Sequence, residues 1–302
     1  MRGAIVAGTV AAPPSSPPRR PLPPGAVDVH SHVFGPFDRF PPLQPSVYPL
    51  PDASPGAHAQ FRATLGTTHG ILTQPAPYGE HPSAMPTATA DAEGALRGVA
   101  VADASISDHE LARWAAAGIV GLRFVEMRAP GGERYPGSLG FEVLEALAPR
   151  MAEHGLHAQL WAGIDQYAAA LPRLTQLGVP LVLDHLASPI TARGAGDPAF
   201  RAVVDRLGDA DLWIKLTLCR CFDAGPDYAA ARPFHDTLVV KDPSRLLWGS
   251  DWPYVRLDPA PDAGAMLDLF DDWTDDEAVR DTILVHNPAR LYGFVAAKEM
   301  TR

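Results

Sequence analysis

The chain has 302 residues, 46% of them hydrophobic and 20% charged, an ordinary composition for a folded globular protein. Its 35 acidic residues against 25 basic ones give a formal charge of −10, which excludes the basic footprint of a nucleic-acid binder and sets the surface against an anionic membrane. No stretch approaches the roughly 20 uninterrupted apolar residues of a membrane helix, and the length suits one barrel of roughly 250 residues plus a tail.

Residues 1–12 faintly resemble a secretory leader, but the apolar part is short and runs into Pro13-Pro14. Of the 32 prolines, 14 fall in the first 55 residues, so residues 1–25 are expected to form a flexible, solvated, partly polyproline-like arm ahead of a domain spanning 26–302. Residues 36–55 are also proline-rich but carry Phe37, Phe40, Val47 and Tyr48, anchors that a linker would waste, and they predict an ordered covering loop. Then a rhythm sets in. Apolar runs at 26–33, 68–74, 96–102, 120–125, 157–162, 180–186, 212–218 and 246–250 are nearly continuous, as parallel strands buried on both faces require. Helical patterns separate them. Ser107 with Glu110 opens one, 138–154 ends at Gly155, and 166–177 ends at Gly178. Eight strands alternating with helices predict a parallel α/β fold, and eight is the number that closes a TIM-type barrel. An open doubly wound sheet lacks the Gly-rich loop after its first strand.

Three places carry chemistry. In Val27-Asp28-Val29-His30-Ser31-His32, residues two apart on a strand share a face, so both imidazoles would enter one cleft at the C-terminal rim of the barrel. Leu183-Asp184-His185 closes the sixth run, and Trp248-Gly249-Ser250-Asp251-Trp252-Pro253 delivers a carboxylate from the eighth. The rigid, semi-apolar setting of Asp251 suits a general base whose pKa is raised. Taken singly, each could be a satisfied core histidine or a turn residue. Cys219 and Cys221, the only cysteines, supply neither a disulfide framework nor a zinc set, and a reduced, cytoplasmic setting is expected.

The segments VDVHSHVFGP, VLDHLASP and LLWGSDWPY, in this order, resemble the amidohydrolase superfamily, and within it the 2-pyrone-4,6-dicarboxylate lactonase-like branch; the closing VHNPARLYGF is similar as well. The resemblance covers about residues 26 to 294 and implies a distorted (β/α)₈ barrel and hydrolysis of a cyclic ester. It assigns catalysis to His30, His32, His185 and Asp251, and binding of a small anionic substrate to Tyr48, Arg123, Arg128 and Arg220. Guanidinium forks at strand ends suit that task, since they clamp carboxylates bidentately.

The sequence also departs from its relatives. The fifth-strand position where metal-dependent relatives carry a histidine is held by Trp161, and His157 lies too early in the strand to reach the rim. No cofactor is therefore expected to be required. A divalent ion such as zinc would rely on His30, His32, Asp251 and His185, and is not expected. Ser188 and Tyr254 stand where the dicarboxylate lactonase has an arginine and a histidine, which bears on the ring and substituents of the substrate. A sugar-lactone hydrolase, a metal-dependent decarboxylase and a catalytically silent ligand-binding barrel are the rival readings.

Overall fold

Continuous apolar runs become strands here because helices cover their outer face and side chains fill the inner one. A computed structural model describes residues 8–80, 82, 84–129, 131–208, 210–221 and 227–294. Residues 1–7 of the expected arm and 295–302 of the expected domain lie outside the described residues. Eight parallel strands, β1 (Val27–Ser31), β2 (His69–Thr73), β3 (Leu96–Ala100), β4 (Ile119–Val125), β5 (His157–Trp161), β6 (Leu181–Leu183), β7 (Leu212–Lys215) and β8 (Leu246–Leu247), pair in sequence order. The Val29 N–H donates to Trp248 O at 3.1 Å and the Asp251 N–H to His30 O at 2.7 Å, which joins the end of β8 back to β1. The result is a barrel with helices between its strands, as expected.

Helices α1 (Pro55–Leu65), α2 (Ala84–Asp91), α3 (Asp108–Ala116), α4 (Phe141–Glu153), α5 (Ile164–Leu174), α6 (Pro198–Val204), α7 (Arg232–Lys241) and α8 (Ala263–Trp273) alternate with the strands, followed by α9 (Glu277–Asp281) and α10 (Asn287–Tyr292). Outward strand residues such as Leu72, Leu122, Leu160 and Ile214 share one buried cluster with Leu111, Leu144, Tyr167 and Phe234 of the helices. Each such side chain contributes about 1.5–3 kcal/mol by leaving water. The Ser107 hydroxyl accepts from the Glu110 N–H at 3.2 Å to start α3, as its spacing predicts.

Inside the barrel, Val27, Val29, Ile71, Val182, Trp213 and Leu247 close the lower end together with Tyr292 and Phe294. Gly121 is required there: a Cβ at this position would lie 2.3 Å from the His157 ring. No helix among the described residues is long and apolar enough to cross a membrane.

Two expectations need correction. The sixth and eighth strands end earlier than their apolar runs, at Leu183 and Leu247. Beyond them the chain bends away: His185, Leu186, Ala187 and Ser188 all take positive φ (52° to 60°), and Asp251 has φ +65°. Non-glycine residues adopt that region at a cost, and such outliers cluster at functional sites. The arm, likewise, is not free over its described part. Thr9–Ala11 pairs in parallel with Leu50–Asp52 of the proline-rich loop. The Ser16 hydroxyl donates to Asp262 at 2.7 Å, Arg19 Nε lies 3.0 Å from Asp268, and Arg280 donates to Pro21 O at 3.2 Å. Acidic residues on and before α8 hold the basic, proline-rich segment. Gly264 lets it approach, since a Cβ there would lie 2.3 Å from Ser16 O.

Candidate active site

A β-strand alternates its faces, yet β1 offers both Val29 and His30 to the interior. The register of β1 against β2 is irregular between Asp28 and Ser31, and the parity changes there. Val27 and Val29 pack into the lower core, Ser31 turns outward to His58 of α1 at 2.9 Å, and His30 and His32 come together with ring centroids 5.0 Å apart. The end of β8 is fixed against β1 by Asp28, whose carboxylate accepts from the Ser250 N–H at 2.9 Å and the Ser250 hydroxyl at 2.6 Å. Gly249 permits the approach: a Cβ would meet His30 Cβ at 2.8 Å.

Asp251 is the hub. Its Oδ1 lies 3.2 Å from His32 Nε2 and 3.4 Å from His30 Nε2, and its Oδ2 accepts from Arg220 Nε. The His185 ring stacks on His30 at 5.1 Å. All four expected catalytic side chains therefore meet, and all are buried. The expected rise in the Asp251 pKa is reversed. Burial pushes its carboxyl up, but the Arg220 guanidinium and the His32 hydrogen bond outweigh it and hold the group well below the ordinary carboxylate range. Burial lowers His185 to about 4, against the opposing pull of Asp251 and Asp184, so it is neutral near pH 7.

Beneath this set lies a layer that sequence reasoning missed. Lys215, fully buried, sits 3.1 Å from Asp184 Oδ1 and 3.3 Å from His30 Nδ1, and Asp184 Oδ2 accepts from Gln159 at 3.2 Å. Burial lowers the Lys215 pKa while Asp184 supports its charge. A lysine inside the apolar run Leu212-Trp213-Ile214-Lys215-Leu216 was the available signal, because an ammonium in a barrel strand must have a partner.

Above the hub opens a cleft lined by His32, His185, Asp251, arginines and aromatic side chains. Tyr48 of the proline-rich loop lines it, packed edge-on against Phe34 at 6.5 Å, while burial pushes its phenol pKa up. Opposite, Trp161 and Tyr135 stack at 6.1 Å with planes 2° apart, and Arg123 lies over the Trp161 ring. Of the expected arginines, Arg123 and Arg220 line the cleft. Arg128 does not: it is paired with Glu126 near the surface. Its place is taken by Arg256, which lies over the Tyr135 ring and donates to the Tyr135 hydroxyl at 3.2 Å. Arg256 follows the eighth strand by a loop, where no periodicity marks it. Ser188 and Tyr254 are buried or nearly so behind the cleft rather than lining it, and their hydroxyls have no hydrogen-bond partner among the described residues. Neither cysteine is in a disulfide and both are buried, with Cys219 Sγ 3.9 Å from Asp251 Oδ2.

A His/Asp group that could hold a divalent metal ion is present. The ligand atoms of His30, His32 and Asp251 lie within 4.8 Å of one another, as do those of His30, Asp184 and His185. His32 Nδ1 lies 2.7 Å from the Thr73 carbonyl, which can only accept. Nδ1 therefore carries a proton for that carbonyl, and Nε2 is turned to Asp251 Oδ1 at 3.2 Å, so the two groups converge where a metal ion could be held.

Comparisons place this geometry. The family model described as Amidohydrolase matches residues 27–294. The 2-pyrone-4,6-dicarboxylate hydrolase of Comamonas testosteroni is 32% identical over 292 residues, 92% of this chain and 93% of that one. The 4-sulfomuconolactone hydrolase of Hydrogenophaga intermedia is 29% identical over 285 residues, 93% of each chain. A crystal structure from Pseudomonas putida, assigned as a 2-pyrone-4,6-dicarboxylic acid hydrolase, superposes with a TM-score of 0.77 at 26% identity, covering 90% of this chain and 99% of that one. With a matched model across nearly the whole barrel and histidines and an aspartate gathered at its rim, the chain belongs to the amidohydrolase family, in its 2-pyrone-4,6-dicarboxylate lactonase-like branch.

Proposed function

We propose that the protein opens the ring of a small carboxylated lactone with water activated by Asp251. The observation that carries this reading is the Asp251 carboxylate at the floor of an arginine-bearing cleft, ringed by His30, His32 and His185. Water attacks the lactone carbonyl and passes a proton to Asp251. A carboxylate held low is a weak base toward free water, but water forming a bond to a polarised carbonyl becomes acidic, so transfer at the transition state suffices. Neutral His30 and His185 donate to the developing oxyanion, and His32, anchored by donation from Nδ1 to Thr73 O, orients the carboxylate through Nε2. The ring C–O bond then breaks, and the departing oxygen takes the proton back from Asp251. Arg123 and Arg256 receive the anionic substituents against the aromatic wall. The relatives support such a substrate: they are named for dicarboxylated and sulfonated lactones, and an Acinetobacter baumannii relative at 25% identity holds citric acid.

In this reading no metal is required. His30, His32 and Asp251 would hold a divalent ion, which would polarise a carbonyl or acidify a bound water. However, Asp251 already pairs with Arg220, and Trp161 occupies the fifth-strand position. The test is proton release from a panel of carboxylated and sugar lactones, before and after chelation with metal analysis. Turnover of the carboxylated lactones by metal-poor protein is expected. Activity confined to sugar lactones, or lost with the metal and restored by zinc, would overturn the substrate or the metal-free part respectively. The D-galactarolactone isomerase of Agrobacterium fabrum, 27% identical, makes the sugar panel the informative control.

A further inference from the structure

The His30 ring has four charged neighbours, and they do not treat its two tautomers alike. Lys215 Nζ lies 3.3 Å from Nδ1, Asp184 Oδ1 lies 3.3 Å from the same nitrogen, and Asp251 Oδ1 lies 3.4 Å from Nε2, with Arg220 behind Asp251. With the proton on Nδ1, the ring would satisfy Asp184 but set an N–H against an ammonium and an Nε2 lone pair against a carboxylate. With the proton on Nε2, Nδ1 accepts from Lys215 and Nε2–H faces Asp251, leaving one mismatch, toward Asp184. That carboxylate is already served by Lys215 at 3.1 Å and by Gln159 at 3.2 Å. Two favourable contacts against one decide the tautomer in a site where everything is buried.

We infer that Lys215 is a positioning residue that locks His30 in the Nε2–H tautomer, so that His30 presents a hydrogen-bond donor to the cleft and is withheld from metal ligation. Nε2 has no hydrogen-bond partner among the described residues, so its proton is available to an incoming oxygen. A ligating histidine needs the opposite arrangement, Nδ1–H on a carboxylate and a bare Nε2. The same pair of charges beneath the ring thus sets the choice between organic and metal-assisted chemistry on one barrel. The use of Nε2–H in ring opening rests on the lactonase reading; the tautomer itself does not.

The experiment is ¹⁵N NMR of the full-length protein labelled in its histidine rings, with His30→Gln identifying the His30 signals, in the absence of any lactone. The wild type should show a pyridine-type Nδ1 and a protonated Nε2. In Lys215→Met, where Asp184 alone faces Nδ1, that nitrogen should become protonated. Zinc affinity, titrated on the same proteins, should rise at least tenfold, and kcat should fall with KM nearly unchanged. A wild-type His30 carrying its proton on Nδ1 overturns the inference even if the variant fails to fold. An unchanged His30 signal in a folded Lys215→Met protein overturns the part given to Lys215. If the tautomer is found but no lactone is opened, the lactonase reading fails and the lock stands.

Discussion

At the floor of the cleft, Lys215 faces Asp184 and Arg220 faces Asp251, so each buried charge has its counterion within the protein. At the walls, Arg123 and Arg256 lie over the rings of Trp161 and Tyr135, and among the described residues the nearest carboxylate oxygen to Arg123 is 4.0 Å away on Asp184. A compensated floor is rigid, because removing one partner leaves an unpaired buried charge. A wall of cations on aromatic faces keeps positive potential for a ligand that brings its own negative charge. In the proposed mechanism catalysis belongs to the floor and substrate choice to the walls, and the two should fail differently.

The largest effect is expected at the hub. Asp251→Asn keeps the shape but cannot accept the proton, and kcat should fall about 10²–10⁴-fold with the circular dichroism spectrum unchanged. Retention of more than about a hundredth of the activity would end the general-base assignment. Arg220→Met removes the counterion of Asp251. A stability loss of about 3–5 kcal/mol in urea unfolding is expected, with an upward shift of the acid limb of the pH–rate profile and equal damage on every substrate.

Arg123→Met should behave as a wall mutation. It should cost about 1.5–3 kcal/mol in kcat/KM for a dicarboxylated lactone and little for its neutral ester, since only the anion uses the guanidinium. Equal penalties on both substrates would move Arg123 from the wall to the floor.

A pH test sharpens the contrast without mutation. Burial lowers His58 and His157 to about 3 and His185 to about 4, so all three are neutral when folded. Unfolded, each takes up a proton near pH 6.5. The unfolded state then binds more protons, and stability is lost as pH falls from 6.5 toward 4. Between pH 7 and pH 5 each should cost about 2 kcal/mol in denaturant unfolding. A flat profile would mean that the interior admits water to these rings. The smallest effect is expected for Arg128→Met: an exposed pair with Glu126 should change stability by less than about 1 kcal/mol, and kcat/KM hardly at all.

The eight strands, the alternating helices, and the meeting of His30, His32, His185 and Asp251 were legible in the sequence by itself. Apolar runs and glycine stops are local signals, and a parallel barrel brings every strand end to one rim whatever the loops do. Tyr48 was legible for a related reason, since aromatic anchors inside a proline-rich loop need something to cover. Tertiary structure alone decided the charges. Arg128 and Arg123 look alike in sequence, yet one turns to Glu126 near the surface and the other over Trp161. Arg256 enters from a loop that carries no period. The sign of the Asp251 shift depended on Arg220, 31 residues away in the chain, and the role of Lys215 on Asp184 and His30, which no spacing connects to it. A pKa and a tautomer are set by which charges lie within a few ångströms, and strand order says which side chains share a rim, not which of them touch.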